Sequence, residues 1–428
     1  MVIFDYVVMS TASATDLQDY SSRDLAEHVD AILDAVRRRG DDALIDCVPA
    51  RHARQAPRVR LDRAEIDRCI AWVPPATLAD LRLVQDRARR FAAAQRAAVA
   101  DFETDGLPGT RAGVRHIAIG SVGICLPAAW PGGLVLSCAQ AGVIAAVTAG
   151  VPRVAVCLGE PDSDAATLLV ATVALAGATE IYRVGGVRGF AALQFGTESI
   201  QRAERVFGIG DAELEEAQRR VLAADAGSIG RRIVIIADDH ADPELVAADL
   251  IAAGESGPRT RAVLIATSPA VAARAASAIA RQLQTLPHAA RAQAAWRRRG
   301  AIHVVDDREA ACALADHHAP QRVEVMTLEP RWFLERLRHC GELFLGPGAG
   351  IALSEDMLAR PRAVSRVGEL EPLWVGSFLH TVTYRETEAC EPSASAALAR
   401  HHRIAGLEAH ARACDLRAAR ERGGSREG

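Results

Sequence analysis

Apolar and polar residues follow two different periods along this chain of 428 residues. In the first hundred residues, apolar side chains recur every three or four positions, as in DLAEHVDAILDAVRRRG and PATLADLRLVQDRARRFAAAQRAAV. This spacing predicts amphipathic helices. From about residue 115 onward, short runs rich in β-branched residues alternate with helical patterns. The alternation predicts parallel sheets with helical crossovers, and therefore an α/β fold.

Seven short segments in the second part of the chain have the composition of buried strands, and each is followed by turn residues and an amphipathic pattern. They are residues 153–159, 180–185, 231–238, 261–268, 301–306, 322–327 and 341–346. A break near Asp225–Arg232, DAGSIGRR, separates two such series. After about Pro361 the alternation stops, and a sequence rich in Arg, Glu and Ala predicts a helical tail.

Composition narrows the class of protein. A chain of 45.5 kDa is too long for one small core, so two α/β units are expected. The net charge of -4 and a pI near 6.4 give no basic field for nucleic acid or an anionic membrane. Nine cysteines without a CxxC pair indicate reduced thiols in a cytoplasmic protein. No signal peptide is predicted, and the longest apolar run is interpreted as a buried helix.

Glycine clusters follow three of the predicted strands, at 184–189, 207–211 and 345–350. Glycines at such a place let a phosphate approach the backbone at the start of a helix. None of the clusters matches a complete dinucleotide fingerprint or a Walker A loop, so plain turns are the favoured interpretation. Any ligand is still expected at the carboxyl ends of these strands.

Histidine pairs are weak evidence for a metal site. His317 and His318 are adjacent, so on a helix their rings point about 100° apart and do not easily share one ion. The rings of the adjacent residues His401 and His402 do not easily share one ion for the same reason. His410 and Cys414 are one helical turn apart, which suits either a shared ligand or a solvated helix face.

Several segments of the sequence resemble histidinol dehydrogenase and occur in the same order as in that family. They are GSVGICLPAAWPGG, AGVPRVAVCLGEP, YRVGGVRGFAALQFGTES, VAADLIAAGESGP, ADHHAPQRVEV, GELFLGPGAG and GLEAHARACDLR, and together they cover nearly the whole chain. The resemblance implies a homodimer of two incomplete Rossmann-like units, with a C-terminal helical tail that crosses to the partner. It also implies oxidation of an amino alcohol to the acid in two NAD-dependent steps. In the family a zinc ion holds the substrate and a Glu–His pair moves protons.

The resemblance and the pattern together give expected domain bounds. Residues 1–122 and 232–376 are expected to form one α/β unit, and 123–231 a second, Rossmann-like unit. Residues 377–428 are expected to form the helical dimerisation tail.

This chain departs from the family at the zinc-binding positions. The ligand glutamine is replaced by Ala253 and the first ligand histidine by Ser256. The ligand aspartate falls near Glu355 or Asp356, and the tail histidine is kept as His410. Two remaining donors do not hold zinc tightly, so no metal is expected.

The acid–base and substrate positions are changed as well. The family's Pro-Glu-His is Pro320-Gln321-Arg322 here, and neither glutamine nor arginine can act as a general base near neutral pH. A substrate-contacting histidine is replaced by Arg362, and a tail glutamate by Ala405. The family's longer substrate loop is shortened to AGSIGRR.

The positions that contact NAD in the family carry Cys125, Arg188 and Asp211 in place of tyrosine, glutamine and asparagine. The Pro-Gly-Gly turn has become Pro127-Ala128-Ala129. Cys125 is a candidate nucleophile if an arginine lowers its pKa, although a buried structural cysteine is the commoner case.

Three functions remain open from the sequence. The first is a repurposed enzyme of small-molecule metabolism in which Arg188, Arg322 and Arg362 bind an anionic metabolite, because guanidinium groups recognise carboxylate and phosphate. Its inherited cleft would contain Gln321, Arg322, His410 and Glu355 as candidate catalytic groups. The second is a catalytically inactive scaffold or regulatory partner of an active homologue. The third is a zinc-independent NAD(P)-dependent alcohol dehydrogenase.

Overall fold

The computed structural model describes residues 22–45, 59–105, 109–127, 133–159, 164–228, 232–257, 259–287, 289–353, 373–388 and 390–424. The helices of these residues are α1 (Ser22–Arg39), α2 (Asp42–Ile45), α3 (Arg63–Trp72), α4 (Pro75–Ala98), α5 (Gly133–Ala149), α6 (Asp164–Ala176), α7 (Gly186–Phe195), α8 (Ala212–Ser228), α9 (Pro243–Glu255), α10 (Pro269–Thr285), α11 (Ala290–Arg299), α12 (Arg308–His318), α13 (Pro330–Arg336), α14 (Pro392–Ile404) and α15 (Glu408–Gly424). The strands are β1 (Phe102–Asp105), β2 (Thr110–Ala118), β3 (Ser121–Cys125), β4 (Arg153–Cys157), β5 (Glu180–Tyr182), β6 (Arg205–Gly208), β7 (Arg232–Ala237), β8 (Arg261–Ala266), β9 (Ala301–Val304), β10 (Arg322–Met326), β11 (Glu342–Leu345) and β12 (Leu379–Thr387).

Local sequence signals explain where several helices begin. Asp62 accepts a hydrogen bond from the backbone N–H of Glu65, whose carboxylate accepts in return from the N–H of Asp62, so α3 begins with a capping box. α9 and α10 both begin with a capping side chain, Asp242 or Ser268, followed by a proline that needs no N–H partner.

The described residues divide into two compact units, each built on one sheet. The four-stranded unit takes the described residues within Met1–Gln85, Ser121–Ile144 and Pro152–Ala223. Its sheet has the order β5-β4-β3-β6, with all neighbours parallel. Helix α1 packs on α7, and α3 packs on α6. These contacts place the N-terminal helices in this unit, whereas the sequence grouped residues 1–122 with the other one.

The eight-stranded unit takes the described residues within Asp86–Gly120, Ala145–Val151 and Ala224–Gly428. Its sheet has the order β1-β2-β12-β11-β10-β7-β8-β9. The six strands from β12 to β9 run parallel, and β2 and β1 add two antiparallel strands at one edge. The prediction of an α/β fold with parallel sheets is confirmed.

Strand β7 shows why this sheet is buried on both faces. Its side chains alternate between two cores: Ile233 and Ile235 pack with α9 and α10, while Val234 and Ile236 pack with residues of α12 and α13. Successive side chains of a strand point to opposite faces, so a strand covered by helices on both sides is apolar throughout.

All seven strands predicted after residue 150 are confirmed, with slightly shorter bounds. The prediction of a wholly helical tail from residue 377 is wrong, because β12 occupies Leu379–Thr387 before α14 and α15 begin. Only Val382–Arg385 of its sequence LHTVTYRET alternates strictly, and the polar residues Thr383, Arg385 and Thr387 are buried. Helix α15 packs on α9 of the same chain, and the expected crossing to a partner subunit stays a prediction. No helix in the described ranges is long and apolar enough to cross a membrane.

Candidate functional site

Gln321 and Arg322 join helix α12 to strand β10. Ala319 ends the helix in the left-handed conformation, with φ 41°, and β10 begins at Arg322. The His317–His318 pair therefore closes a helix, as predicted, with ring centroids 6.0 Å apart and tilted by 58°. Both candidate residues lie at the amino end of β10, although a ligand was expected at the carboxyl ends of the strands.

The side chains of Gln321 and Arg322 already have partners. Gln321 Oε1 accepts a hydrogen bond from the backbone N–H of Arg232, which ties the start of β10 to β7. Arg322 Nε donates to Glu342 Oε2 at 2.8 Å, across the neighbouring strand β11. Glu342 thus neutralises the positive charge of Arg322, which was predicted to bind an anion. The ligand-binding roles of Gln321 and Arg322 stay predictions.

A compact polar group forms where the end of α9 meets the start of α15. His410 Nδ1 lies 2.9 Å from Glu255 Oε2, and His410 Nε2 lies 3.4 Å from Ser256 Oγ. The backbone N–H groups of Ala409 and His410 also donate to the Glu255 carboxylate, at 3.0 and 3.2 Å. We call Glu255, Ser256 and His410 the α9–α15 polar group.

The Glu255 carboxylate determines the tautomer of His410. Burial raises the pKa of Glu255, but the hydrogen bonds from His410 and the Ala409 N–H outweigh it and hold that pKa below its ordinary value. An ionised carboxylate only accepts hydrogen bonds, so Nδ1 carries the imidazole proton of neutral His410. The lone pair on Nε2 is then directed at Ser256, whose hydroxyl can donate to it.

A second group of charges lies entirely inside the eight-stranded unit. Arg417 of α15 makes a bidentate ion pair with Asp249 of α9, at 3.0 and 2.6 Å, with side-chain exposures of 2% and 0%. Arg417 Nε also donates to Pro347 O at 2.9 Å. Glu324 of β10 is fully buried beside them, and its Oε2 has no hydrogen-bond partner among the described residues. We call Asp249, Glu324 and Arg417 the buried charge group.

Burial and the negative charge of Asp249 raise the pKa of Glu324 well above its ordinary value, more than Arg417 lowers it. Burial and the charge of Asp249 thus favour the protonated, neutral form of Glu324 beside the Asp249–Arg417 ion pair. Sequence reasoning missed these residues, yet a signal was present: Asp249 and Glu324 each interrupt an otherwise apolar run, VAADLIAAG and RVEVMT. A charged residue in such a run is rarely buried without a partner.

The glycine cluster at 345–350 lies against Arg417 of the buried charge group. A Cβ atom on Gly350 would collide with the guanidinium of Arg417, so the close approach requires glycine there. The carbonyls of Pro347 and Ala349 accept hydrogen bonds from the same guanidinium. This supports the interpretation of the cluster as a structural turn.

Cys125 and Asp211, two of the three positions that the resemblance assigns to NAD contacts, have structural roles in the four-stranded unit. Cys125 is fully buried at the end of β3, where burial raises its pKa well above the ordinary value and the neighbouring Cys157 raises it further. The hypothesis of a nucleophile activated by an arginine is therefore wrong for Cys125. Asp211 accepts from the N–H of Leu214 at 2.8 Å and caps α8, and burial raises its pKa.

Arg188 differs from these two positions. It lies half-buried in the first turn of α7, directly after the close contact at Gly185, where a Cβ atom would lie 2.6 Å from the N of Gly159 and 2.9 Å from the O of Pro127. Among the described residues its guanidinium has no hydrogen-bond or ion-pair partner. The backbone N–H groups of Val187 and Arg188 likewise have no acceptor there, while Gly186 donates to Leu126 O at 2.7 Å.

The model of the histidinol dehydrogenase family matches residues 16–418. The chain belongs to the histidinol dehydrogenase family. A histidinol dehydrogenase homolog of Shouchella clausii is 33% identical over 398 residues, which are 91% of this chain and 92% of the relative. Histidinol dehydrogenase of Gluconobacter oxydans is 37% identical over 351 residues, 80% of this chain and 79% of that protein. The crystal structure of histidinol dehydrogenase from Elizabethkingia anophelis shares the fold, with a TM-score of 0.51 at 22% identity over 93% of both chains.

The residues at the family's zinc positions do not fit that ion. Ser256 and His410 are in contact, as two ligand positions should be, but Ala253 is a buried alanine without a donor atom. The described residues contain no group of three or more His, Cys, Asp or Glu side chains placed to hold a metal. Glu355, Asp356 and Arg362 lie outside the described residues, whereas Ala405 is the cap that ends α14.

Proposed function

We propose that this member of the histidinol dehydrogenase family no longer oxidises histidinol with zinc and NAD, and that it binds a small anionic metabolite in its four-stranded unit. The observation that carries the proposal is that, within the described residues, the Arg188 guanidinium and two N–H groups of the first turn of α7 have no partner. A guanidinium and free N–H groups at a helix start together attract carboxylate or phosphate.

The tight backbone packing at Gly185 supports this placement. Gly185, Gly159 and Pro127 follow three neighbouring parallel strands, β5, β4 and β3, at their carboxyl ends. Ligands of parallel α/β sheets bind at that end. Because only glycine fits at residue 185, the chain comes close to the start of α7 without a side chain in between.

The proposal includes that the protein binds no zinc tightly and functions without it. Ala253 supplies no donor and Ser256 only a neutral hydroxyl, so His410 and the carboxylate at Glu355 or Asp356 are the two donors that remain from the family set. Metal analysis of the purified protein should therefore find far less than one zinc per chain, and a chelator should leave the melting temperature unchanged. The double variant Ala253→Gln, Ser256→His returns two donors and should raise zinc retention. A full, tightly held zinc in the unaltered chain would contradict this part.

The anion site is tested by thermal shift with inorganic phosphate, succinate, NAD, NADP and histidinol. An anion at 100-fold above its Kd stabilises the folded state by about 2.7 kcal/mol, which raises the melting temperature. Arg188→Gln, which restores the family residue, should weaken that effect by at least about tenfold, because a charged hydrogen bond contributes about 1.5–3 kcal/mol. Arg202→Gln, at an exposed position before β6, is the matched control.

The shift in melting temperature with each ligand distinguishes the candidate functions. Stabilisation by phosphate or succinate that is lost in Arg188→Gln but kept in Arg202→Gln supports the anion site. Stabilisation by NAD or NADP alone would instead favour a zinc-independent dehydrogenase. No response to any of the five compounds would refute the proposal.

A catalytically inactive partner of an active homologue is the second candidate. The observation that favours it is that Gln321 and Arg322, at the family's acid–base positions, are held by Arg232 and Glu342. Co-expression with an active homologue and size-exclusion chromatography of the pair would test it, since a specific heterodimer elutes as one species with both chains.

We further propose a homodimer of two incomplete Rossmann-like units with the tail reaching the partner. The order of the parallel strands in each sheet supports the Rossmann-like assignment, and membership of the family supports the dimer. Crosslinking of α15 to α9 in a mixture of two tagged chains would report whether the tail crosses.

A further inference from the structure

We infer that the α9–α15 polar group is a Ser–His–Glu nucleophile, in which Ser256 accepts an acyl group from an activated ester or thioester. This goes beyond anion binding, and it rests on residues of the other unit.

The three side chains are connected in the order that the chemistry requires. Ser256 Oγ lies 3.4 Å from His410 Nε2, and His410 Nδ1 lies 2.9 Å from Glu255 Oε2. A serine nucleophile needs a base within hydrogen-bond reach, and that base needs a third group that fixes its tautomer. Contacts of this kind are often long before a substrate binds.

Glu255 is itself held in place, so the histidine cannot easily turn away. Its carboxylate receives the N–H groups of Ala409 and His410 in addition to the imidazole. His410 is 5% exposed, and its ring lies 5.2 Å from that of His402, which is in contact with the carbonyl of Ala352 at 2.7 Å. Ser256 remains partly exposed at the end of α9, where a reagent can reach it.

Once the imidazole takes a proton from Ser256, its Nδ1–H stays on the Glu255 carboxylate, which lies 2.9 Å away and carries the opposite charge. His410 is therefore well placed as a base for the hydroxyl.

The reaction balances with an acyl donor and water. The Ser256 O–H proton moves to His410 Nε2 as the Oγ–C bond to the acyl carbon forms. The bond to the leaving group breaks, and the leaving group takes the proton from His410. Water, deprotonated by the same nitrogen, then cleaves the ester and regenerates the Ser256 hydroxyl.

Covalent labelling with an alkyl fluorophosphonate tests the inference in the full-length protein. Ser256 Oγ should form a bond to phosphorus with release of fluoride, and peptide mass spectrometry should find one label per chain on the peptide that contains Ser256. Ser256→Ala should abolish the label. His410→Gln should slow labelling by about 100-fold, the lower range of general-base catalysis. Ser277→Ala, an exposed serine on α10 bonded to a backbone carbonyl, should label as fast as the unaltered chain.

A burst of p-nitrophenolate from p-nitrophenyl acetate, absent in Ser256→Ala, is the second readout. Glu255 is a positioning residue, and its test is spectroscopic: in Glu255→Gln the ¹⁵N shifts of the His410 ring should show loss of the Nδ1-protonated tautomer. Circular dichroism and melting temperature establish that each variant is folded. A label on other residues only, no label at all, or equal labelling of folded Ser256→Ala would overturn the inference.

Discussion

The buried charge group gives the sharpest prediction about stability. Glu324 and Asp249 are both fully buried acids, but their surroundings differ. Asp249 holds Arg417 through two hydrogen bonds, while the pKa of Glu324 is raised well above its ordinary value by burial and by Asp249. Replacing each acid by its amide therefore has different consequences.

Asp249→Asn removes the charge that pairs with Arg417 and leaves a buried guanidinium without its counter-ion. Breaking a buried ion pair from one side costs about 3–5 kcal/mol, so this variant should lose much of its stability. Glu324→Gln replaces the carboxyl, whose raised pKa favours the neutral form, by a neutral group of nearly the same shape. Its Oε1 can still accept from the N–H of Ile351, and the expected cost at pH 6 is at most about 1 kcal/mol.

The two variants also differ in how stability depends on pH. Because the pKa of Glu324 is raised in the folded state, the folded chain keeps a proton that the unfolded chain releases above about pH 4.3. This proton stabilises the fold fully below that pH, and the contribution is lost as the pH rises towards the folded pKa. Glu324→Gln lacks the titration, so its stability relative to the unaltered chain should rise by up to about 1.4 kcal/mol per pH unit.

Urea unfolding followed by circular dichroism at pH 6, 7 and 8 measures these differences. The expected result is a small loss in Glu324→Gln that shrinks or reverses as the pH rises, and a large loss in Asp249→Asn. If Glu324→Gln were as destabilised as Asp249→Asn at pH 6, Glu324 would be ionised in the fold and the reasoning would be refuted.

Three further predictions concern single positions. Gly350→Ala should cost about 1–3 kcal/mol because its Cβ collides with Arg417, whereas Gly257→Ala, whose Cβ would meet its nearest atom at 3.9 Å, should stay within about 0.5 kcal/mol; urea unfolding measures both. Ala319→Gly should raise stability by about 0.5–1 kcal/mol, since φ 41° strains an alanine; an unchanged or lower unfolding midpoint would argue against that strain. Cys125 should resist iodoacetamide in the native state at pH 8, because burial raises its pKa; rapid alkylation, detected by peptide mass spectrometry, would contradict its structural role.

Much of the fold follows from the sequence because local patterns carry the required information. An apolar run such as RRIVIIAD predicts a strand buried on both faces, and β7 is one. Strand β12 escaped prediction because its strict alternation is limited to Val382–Arg385, and its pairing with β11 and β2 forms only in the fold. The assignment of the N-terminal helices to the four-stranded unit depends on the contacts of α1 with α7, which no local pattern encodes.

For the candidate site, the sequence determined which residues replaced the family's groups, and the tertiary structure decided what they do. Residue identity alone showed that Gln321 and Arg322 cannot act as general bases near neutral pH, since that is a property of the side chains. Their pairing with Arg232 and Glu342, and the contact of Ser256 with His410, join residues up to 154 positions apart in the chain. Such contacts arise when sheets and helices pack. A buried charge is likewise tolerable only beside a partner that the fold supplies, as Arg417 is beside Asp249.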